Sequence, residues 1–233
     1  MTAPGEIRAV LTDIEGTTTS ISFVYDVLFP YAAARLDEYC GRRSDPKPEP
    51  ELAEALARLR QEQEEQEEEA PLADYARRLM AEDRKSTGLK LLQGVIWEEG
   101  YRSGALRGHV YPDVPGALAA WRAAGRRLRV FSSGSVRAQR LLFGHSDFGD
   151  LTPLFEGFHD TTIGPKREAA SYAAIAAAFG LPAGEVLYLS DVTEELDAAA
   201  AAGLRTGLLV RPGNRPAEPG AHAVYPDFTA LRL

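Results

Sequence analysis

Three stretches far apart in the chain place carboxylates, hydroxyls and glycines directly after short apolar runs. They read Asp13-Ile14-Glu15-Gly16-Thr17-Thr18-Thr19, then Ser132-Ser133-Gly134-Ser135, then Ser190-Asp191-Val192-Thr193-Glu194-Glu195. A fourth stretch, Thr161-Thr162-Ile163-Gly164-Pro165-Lys166, contributes a lone lysine. A hard cation such as Mg²⁺ takes oxygen ligands and keeps several waters, so two carboxylates and one carbonyl would suffice to hold it. Asp13 and Asp191 are the carboxylates this pattern offers, and Lys166 adds the positive charge that a phosphate dianion requires. The chemistry these residue types suit is the handling of a phosphoryl group beside a divalent metal.

Lysine usage points the same way. Only Lys47, Lys85, Lys90 and Lys166 occur, against 22 arginines, and Lys166 is followed by Arg167. An ammonium is a compact point charge that can touch phosphate and carboxylate together, where the planar guanidinium fork is broader. Lys85 and Lys90 are candidates for substrate contact, with a solvated helix face as their ordinary reading. Taken singly, Asp13 reads equally well as a turn or capping residue, and Ser132 and Ser133 as a helix N-cap ahead of Val136. The four sites occurring together favour chemistry over capping.

Such residues need elements that bring them together. Residues 7–11, 128–131, 186–189 and 207–210 are short apolar runs compatible with buried parallel strands. Helical stretches with readable ends lie between them in the C-terminal half. One opens at Asp113 and closes before Gly125; others run from Glu168 to Phe179 before Gly180, and from Thr193 to Ala202 before Gly203. Strands alternating with helices predict an α/β fold around a doubly wound, mostly parallel sheet. In such sheets ligands bind beyond the carboxyl ends of the strands, where the polar stretches fall. Residues 20–109 differ: they are rich in helix formers, with Leu52, Ala55, Leu56 and Leu59 at helical spacing, and Tyr75, Leu79, Leu91, Leu92 and Val95 likewise. The expected organisation is a catalytic core of residues 1–19 and 110–233 with an inserted all-helical cap, 20–109. Within the cap, residues 61–69 hold six glutamates and three glutamines, which read as a solvated helix end or loop.

Composition narrows the function classes. The 233 residues carry 26 Lys plus Arg against 34 Asp plus Glu, a net charge of −8, which argues against nucleic-acid or anionic-membrane partners. Cys40 is the single cysteine, so an intrachain disulfide and a cysteine-based zinc site are excluded. The four histidines show no paired ligand spacing. No apolar run approaches a membrane span of about 18 residues, and residues 1–8 lack an apolar signal core. The expectation is a cytoplasmic monomer acting on a small molecule, with the proline-containing tail beyond Arg211 wrapping the surface.

The ordered set of motifs resembles the haloacid-dehalogenase-like phosphohydrolases. More closely, Asp13-Ile-Glu-Gly-Thr-Thr, Leu91-Leu-Gln-Gly-Val-Ile-Trp97, Gly100-Tyr101, His109-Val-Tyr-Pro-Asp113-Val, Ser132-Ser-Gly-Ser-Val-Arg137-Ala-Gln and Leu142-Phe-Gly-His-Ser146 look like the enolase-phosphatases of methionine salvage. The resemblance implies one Mg²⁺ held by Asp13, the Glu15 carbonyl and Asp191. It implies Asp13 as the nucleophile forming an aspartyl-phosphate, and phosphate held by Ser132, Ser133, Gly134 and Lys166. Glu15 stands where the wider superfamily has an aspartate acid/base, a departure the enolase-phosphatases share. The implied substrate is a phosphorylated diketone, 2,3-diketo-5-methylthiopentyl 1-phosphate, enolised and then dephosphorylated to an acireductone. The enolisation base stays open among Glu15, Glu98 and Glu99, and Glu194 and Glu195 read as supporting groups or the first turn of a helix. Trp97, Tyr101 and Tyr111 are candidates to meet an apolar substrate tail, or core aromatics. A general phosphatase of the same superfamily and a catalytically silent binding module are the competing readings.

Overall fold

The computed structural model describes residues 5–42, 49–82 and 84–233. Lys47 and the first four residues of the N-terminal segment lie outside the described residues. The chain divides into two compact units, one of Met1–Phe23 with Arg107–Leu233 and one of Val24–Leu106.

The first unit is built on six strands: β1 (Ala9–Thr12), β2 (Arg127–Phe131), β3 (Gly157–His159), β4 (Val186–Ser190), β5 (Arg205–Leu209) and β6 (Ala223–Tyr225). They lie in the order β3-β2-β1-β4-β5-β6, and every pairing is parallel. Every residue of β1 and β4 is buried, which is why these strands are continuous apolar runs with no polar alternation. The sheet is therefore the predicted α/β architecture, parallel throughout.

Strand order reverses between β1 and β4. The strand ends meet there: the amide of Asp13, the first residue beyond β1, donates to the carbonyl of Leu189, the penultimate residue of β4, at 2.9 Å. Helices α6 (Asp113–Ala123), α7 (Val136–Gly144), α8 (Ala169–Phe179) and α9 (Thr193–Ala201) complete the unit. Gly180 and Gly203 follow α8 and α9 with φ of 66° and 87°, conformations open to glycine without strain. Tyr172, Ile175 and Phe179 of α8 pack with Leu11, Phe131 and Tyr188 of the sheet in one buried cluster.

Two strands are invisible as apolar runs. β3 and β6 have three residues each, sit at the sheet edges and are at most half-buried, so no hydrophobic pattern marks them. The tail departs in part from the expected surface wrapping. Most of it beyond Arg211 does lie at the surface, yet it also contributes the strand β6 and the buried His222, Phe228 and Leu231.

The second unit is helical: α1 (Phe29–Ala33), α2 (Leu36–Gly41), α3 (Pro50–Glu64), α4 (Leu72–Ala81) and α5 (Thr87–Arg102), preceded by a π-helical turn, Phe23–Leu28, that begins in the first unit. Leu52, Ala55, Leu56 and Leu59 are buried together with Tyr75, Leu79, Leu92 and Val95, as their helical spacing requires. The acidic run is not uniformly solvated. Glu62 accepts hydrogen bonds from the Thr87 and Gly88 amides at 3.2 and 3.1 Å, so it caps the start of α5 and answers its dipole.

Gly88 sets the crossing of α3 and α5. A Cβ there would lie 2.3 Å from the Leu59 nitrogen and 2.4 Å from its Cα. Gly88→Ala forces two backbones apart and is expected to cost about 3 kcal/mol, read as a lowered denaturation midpoint; an unchanged midpoint would refute this contact.

Candidate active site

Asp13 directly follows β1 and is buried, and its side chain is gripped by Lys166, whose Nζ lies 2.7 Å from Asp13 Oδ1. The same Nζ lies 2.7 Å from Glu195 Oε2. The sequence offered Glu194 and Glu195 as supporting groups or the first turn of a helix; the structure makes Glu195 a supporting group, the second partner of the lysine. Glu195 also accepts from Tyr188 Oη at 2.8 Å and Ser190 Oγ at 3.0 Å. Those hydroxyls come from β4, so strand and helix fix the carboxylate jointly. Spacing separates the two glutamates: Ser190, Asp191 and Glu195 straddle a strand end and the first turn of α9, which turns Glu195 inward and leaves Glu194 exposed.

Lys166 sits in the loop before α8, where Tyr172 Oη donates to its carbonyl at 2.7 Å. Burial disfavours its ammonium, yet Asp13 and Glu195 hold the pKa above the ordinary lysine value. Asp191 follows β4 and packs on the turn after β1. A Cβ on Gly16 would stand 2.1 Å from Asp191 Oδ2, and Gly16 has φ of 68°. Only glycine fits this turn, both for its backbone and for the carboxylate against it.

The charges do not balance. Burial, then Glu195 and Asp191, push the Asp13 carboxyl up to about 8 against the pull of Lys166. Burial, then Glu195, push Asp191 up to about 6, with Glu15 adding to the rise. Carboxylates crowded about one ammonium make a site short of positive charge, which a divalent cation would supply. Among the described residues no group of three or more His, Cys, Asp or Glu side chains is arranged to hold a metal. Two carboxylates and a backbone carbonyl fall below that count and still fit Mg²⁺, which leaves much of its coordination to water and substrate phosphate.

Ser132 is buried at the end of β2, beside β1 in the sheet. Its Oγ accepts from the Gly134 amide at 3.3 Å, while the N-cap of α7 is Ser135, accepting from the Ala138 amide at 3.2 Å. The capping reading of Ser132 and Ser133 is thus corrected by Ser135. Ser133 is exposed. A cavity of about 490 Å³ opens beside Asp191, Arg167 and Thr193; Asp13 and Lys166 are not among the residues lining it.

Several other candidates belong to packing. His222 is buried between Thr206 Oγ1 at 2.7 Å and Asp197 at 3.0 Å, and His109 Nδ1 accepts from the Ser20 amide at 3.2 Å. Trp97 donates to the Leu28 carbonyl at 2.9 Å within the helical unit, and Tyr101 is buried there. Glu99 accepts from Tyr39 and from Arg42, which hold its pKa below the ordinary carboxylate value, so it is a weak base. Glu98 pairs with Arg102. Lys85 and Lys90 are exposed.

A family profile for haloacid dehalogenase-like hydrolases matches residues 7–203. Enolase-phosphatase E1 of Pseudomonas aeruginosa (strain UCBPP-PA14) is 56% identical over 207 residues, covering 89% of this chain and 91% of the relative. Enolase-phosphatase E1 of Azotobacter vinelandii is 51% identical over 225 residues, 97% of each. The chain belongs to the enolase-phosphatase E1 family of haloacid dehalogenase-like hydrolases. Among solved structures, the UTR4 protein of Saccharomyces cerevisiae matches with a TM-score of 0.82 and 37% identity, covering 97% of this chain and 100% of that one. CbbY of Rhodobacter sphaeroides, at 18% identity and a TM-score of 0.60 over 97% of this chain and 96% of its own, shares the fold.

In this member of the family the charge imbalance is testable through stability. The folded pKa of Asp13, about 8, lies above its ordinary value of 3.8. The folded state thus binds the proton more tightly, and the stability so gained is present at low pH and lost as pH rises through about 8. Asp191 acts in the same direction up to about 6. In EDTA the melting temperature is expected to fall between about pH 5 and 8, and Mg²⁺ to restore it most at the alkaline end. Scanning fluorimetry across pH reads both effects, and a Mg²⁺ response independent of pH would contradict them.

Proposed function

We propose that this chain converts 2,3-diketo-5-methylthiopentyl 1-phosphate to the acireductone 1,2-dihydroxy-3-keto-5-methylthiopentene and phosphate, as a bifunctional enolase-phosphatase. The observation that carries the reading is the buried Lys166 bridging Asp13 and Glu195 at the point where strand order reverses. Relatives that align with 89% and 97% of the chain are named enolase-phosphatases, which supports pairing an enolase step with a phosphatase step. The division into a catalytic core and a helical cap is part of the proposal.

Asp13 is the nucleophile. Its Oδ attacks phosphorus in line with the departing enol oxygen, forming an aspartyl-phosphate; water then attacks that phosphorus and frees phosphate and the Asp13 carboxylate. Lys166 neutralises Asp13 as it approaches the anionic phosphoryl group and then bears part of the charge of the transferring oxygens. Glu195, tied to Tyr188 and Ser190, keeps that ammonium in place. The Ser132 hydroxyl and the Ser133 and Gly134 amides bind phosphate oxygens at the start of α7, where the helix dipole favours an anion. Glu15, partly exposed on the β1 turn, hands a proton to the leaving oxygen. Asp13, the Glu15 carbonyl and Asp191 would hold Mg²⁺, which when bound offsets phosphate charge and polarises the substrate carbonyl.

Asp13→Asn is expected to lower phosphate release by more than about a thousandfold, measured with a coupled phosphate assay; substantial residual turnover would remove the nucleophile assignment. In stopped-flow diode-array experiments on the diketone phosphate, a transient enol band should precede phosphate. Phosphate without that band would favour a general phosphatase, and no Mg²⁺-dependent release from this substrate or an aryl phosphate would favour a silent binding module.

A further inference from the structure

The turn after β1 is gripped from outside by a segment nearly two hundred residues away. Arg211 Nε donates to the Thr17 carbonyl at 2.7 Å. Asn214 Nδ2 donates to the Gly16 carbonyl at 2.8 Å and to the Leu209 carbonyl at 3.3 Å. Arg211 is itself fixed, its fork on Asp113 at 2.9 and 2.8 Å and its guanidinium 4.1 Å from the Tyr111 ring centroid. Asp113 also accepts the Phe228 amide at 2.9 Å. The ion pair is secluded, with the two side chains 3% and 15% exposed.

Inside the turn the Ile14 carbonyl takes the amides of Thr17, Thr18 and Thr19, and the Gly16 amide donates to the Thr19 carbonyl. The carbonyls on either side of Glu15, those of Ile14 and Gly16, are therefore both committed. Gly16 in turn lies against Asp191. The clamp thus holds the two peptides that directly follow the one carrying the proposed carbonyl ligand, and with Gly16 the packing that places a proposed carboxylate ligand.

We propose that Arg211 and Asn214 are positioning residues for the divalent-cation site. They touch neither metal nor substrate; they hold the Gly16 and Thr17 carbonyls so that the Glu15 carbonyl and the Asp191 carboxylate stay in register. The inference rests on the Mg²⁺ site proposed above. Mg²⁺ demands near-ideal octahedral geometry, so a small drift of one oxygen ligand is felt in affinity, and loss of such supporting contacts costs about 10- to 100-fold in metal binding.

Isothermal titration of Mg²⁺ into the metal-free full-length protein separates this role from simple stabilisation. Asn214→Ala, at a half-buried position, should bind Mg²⁺ about tenfold more weakly, and Arg211→Lys at least as weakly. At saturating Mg²⁺ the Asn214→Ala KM for substrate should match the wild type, with the defect confined to kcat at limiting metal. Ile175→Val, one methylene removed from the buried cluster of the same unit, should lower stability to a similar degree and keep wild-type affinity. Wild-type Mg²⁺ affinity in folded Asn214→Ala, or equal weakening in Ile175→Val, would overturn the inference. If Arg211→Lys does not fold, Asn214→Ala alone decides. Binding that is lost in Asp191→Asn but unchanged in Asn214→Ala would remove only the clamp. No binding in the wild type would remove the metal site and the clamp together.

Discussion

A buried ammonium holding two carboxylates is the interaction on which the rest of the first unit depends. Lys166 is nearly inaccessible, as are Asp13 and Glu195 around it. Desolvating three charges is costly, and their mutual attraction offsets that cost only when the geometry is held tightly. Removing the lysine alone would strand two carboxylates in a dry site, a change that typically costs about 3–5 kcal/mol. Geometry is held by hydrogen bonds whose donors are themselves core residues: Tyr188 and Ser190 on Glu195, Tyr172 on the Lys166 carbonyl. Burial first, and then the neighbouring carboxylates, raise the pKa values of Asp13 and Asp191 against the pull of that lysine. A divalent cation held by Asp13, the Glu15 carbonyl and Asp191, as proposed, would relieve that crowding.

Sheet topology decides where the charges can meet. Parallel strands present all their carboxyl ends on one edge, and the reversal of order between β1 and β4 opens a crevice there. Asp13 and Asp191 leave from those two strands and Ser132 from the next. The lysine arrives from the loop before α8, whose Tyr172 and Ile175 are packed into the sheet. The site is thus assembled from strand ends, and the hydrogen-bonded turn around Gly16 is also gripped by Arg211 and Asn214.

The helical unit shows the same economy at a different scale. Its acidic run would repel itself as a free loop, yet Glu62 is turned back to cap α5 and Gln63 donates to the Ala70 carbonyl at 2.7 Å. Gly88 then lets α5 approach α3 closely enough for backbone contact. Glu98 and Glu99, which carry the charge needed for proton abstraction, are occupied by arginines and a tyrosine of the same unit.

The sequence by itself determined the central strands, the helical character of the inserted region and the place of Asp13, Ser132 and Asp191 just past strand ends. These are local properties: a fully buried strand must be a short apolar run, and a carboxylate or hydroxyl directly after it must lie at the sheet edge. Only the tertiary structure decided what those groups face. Glu195 is one of 34 acidic residues in the sequence, and nothing in its neighbours distinguishes it from the exposed Glu194 until α9 turns it toward Lys166. Arg211 and Asn214 sit in a proline-containing tail with the composition of a surface loop, and the edge strands β3 and β6 are too short to carry a pattern. Each of these depends on contacts between residues tens to hundreds of positions apart, and hydrophobic periodicity records only which side of an element is buried, never which partner is found there.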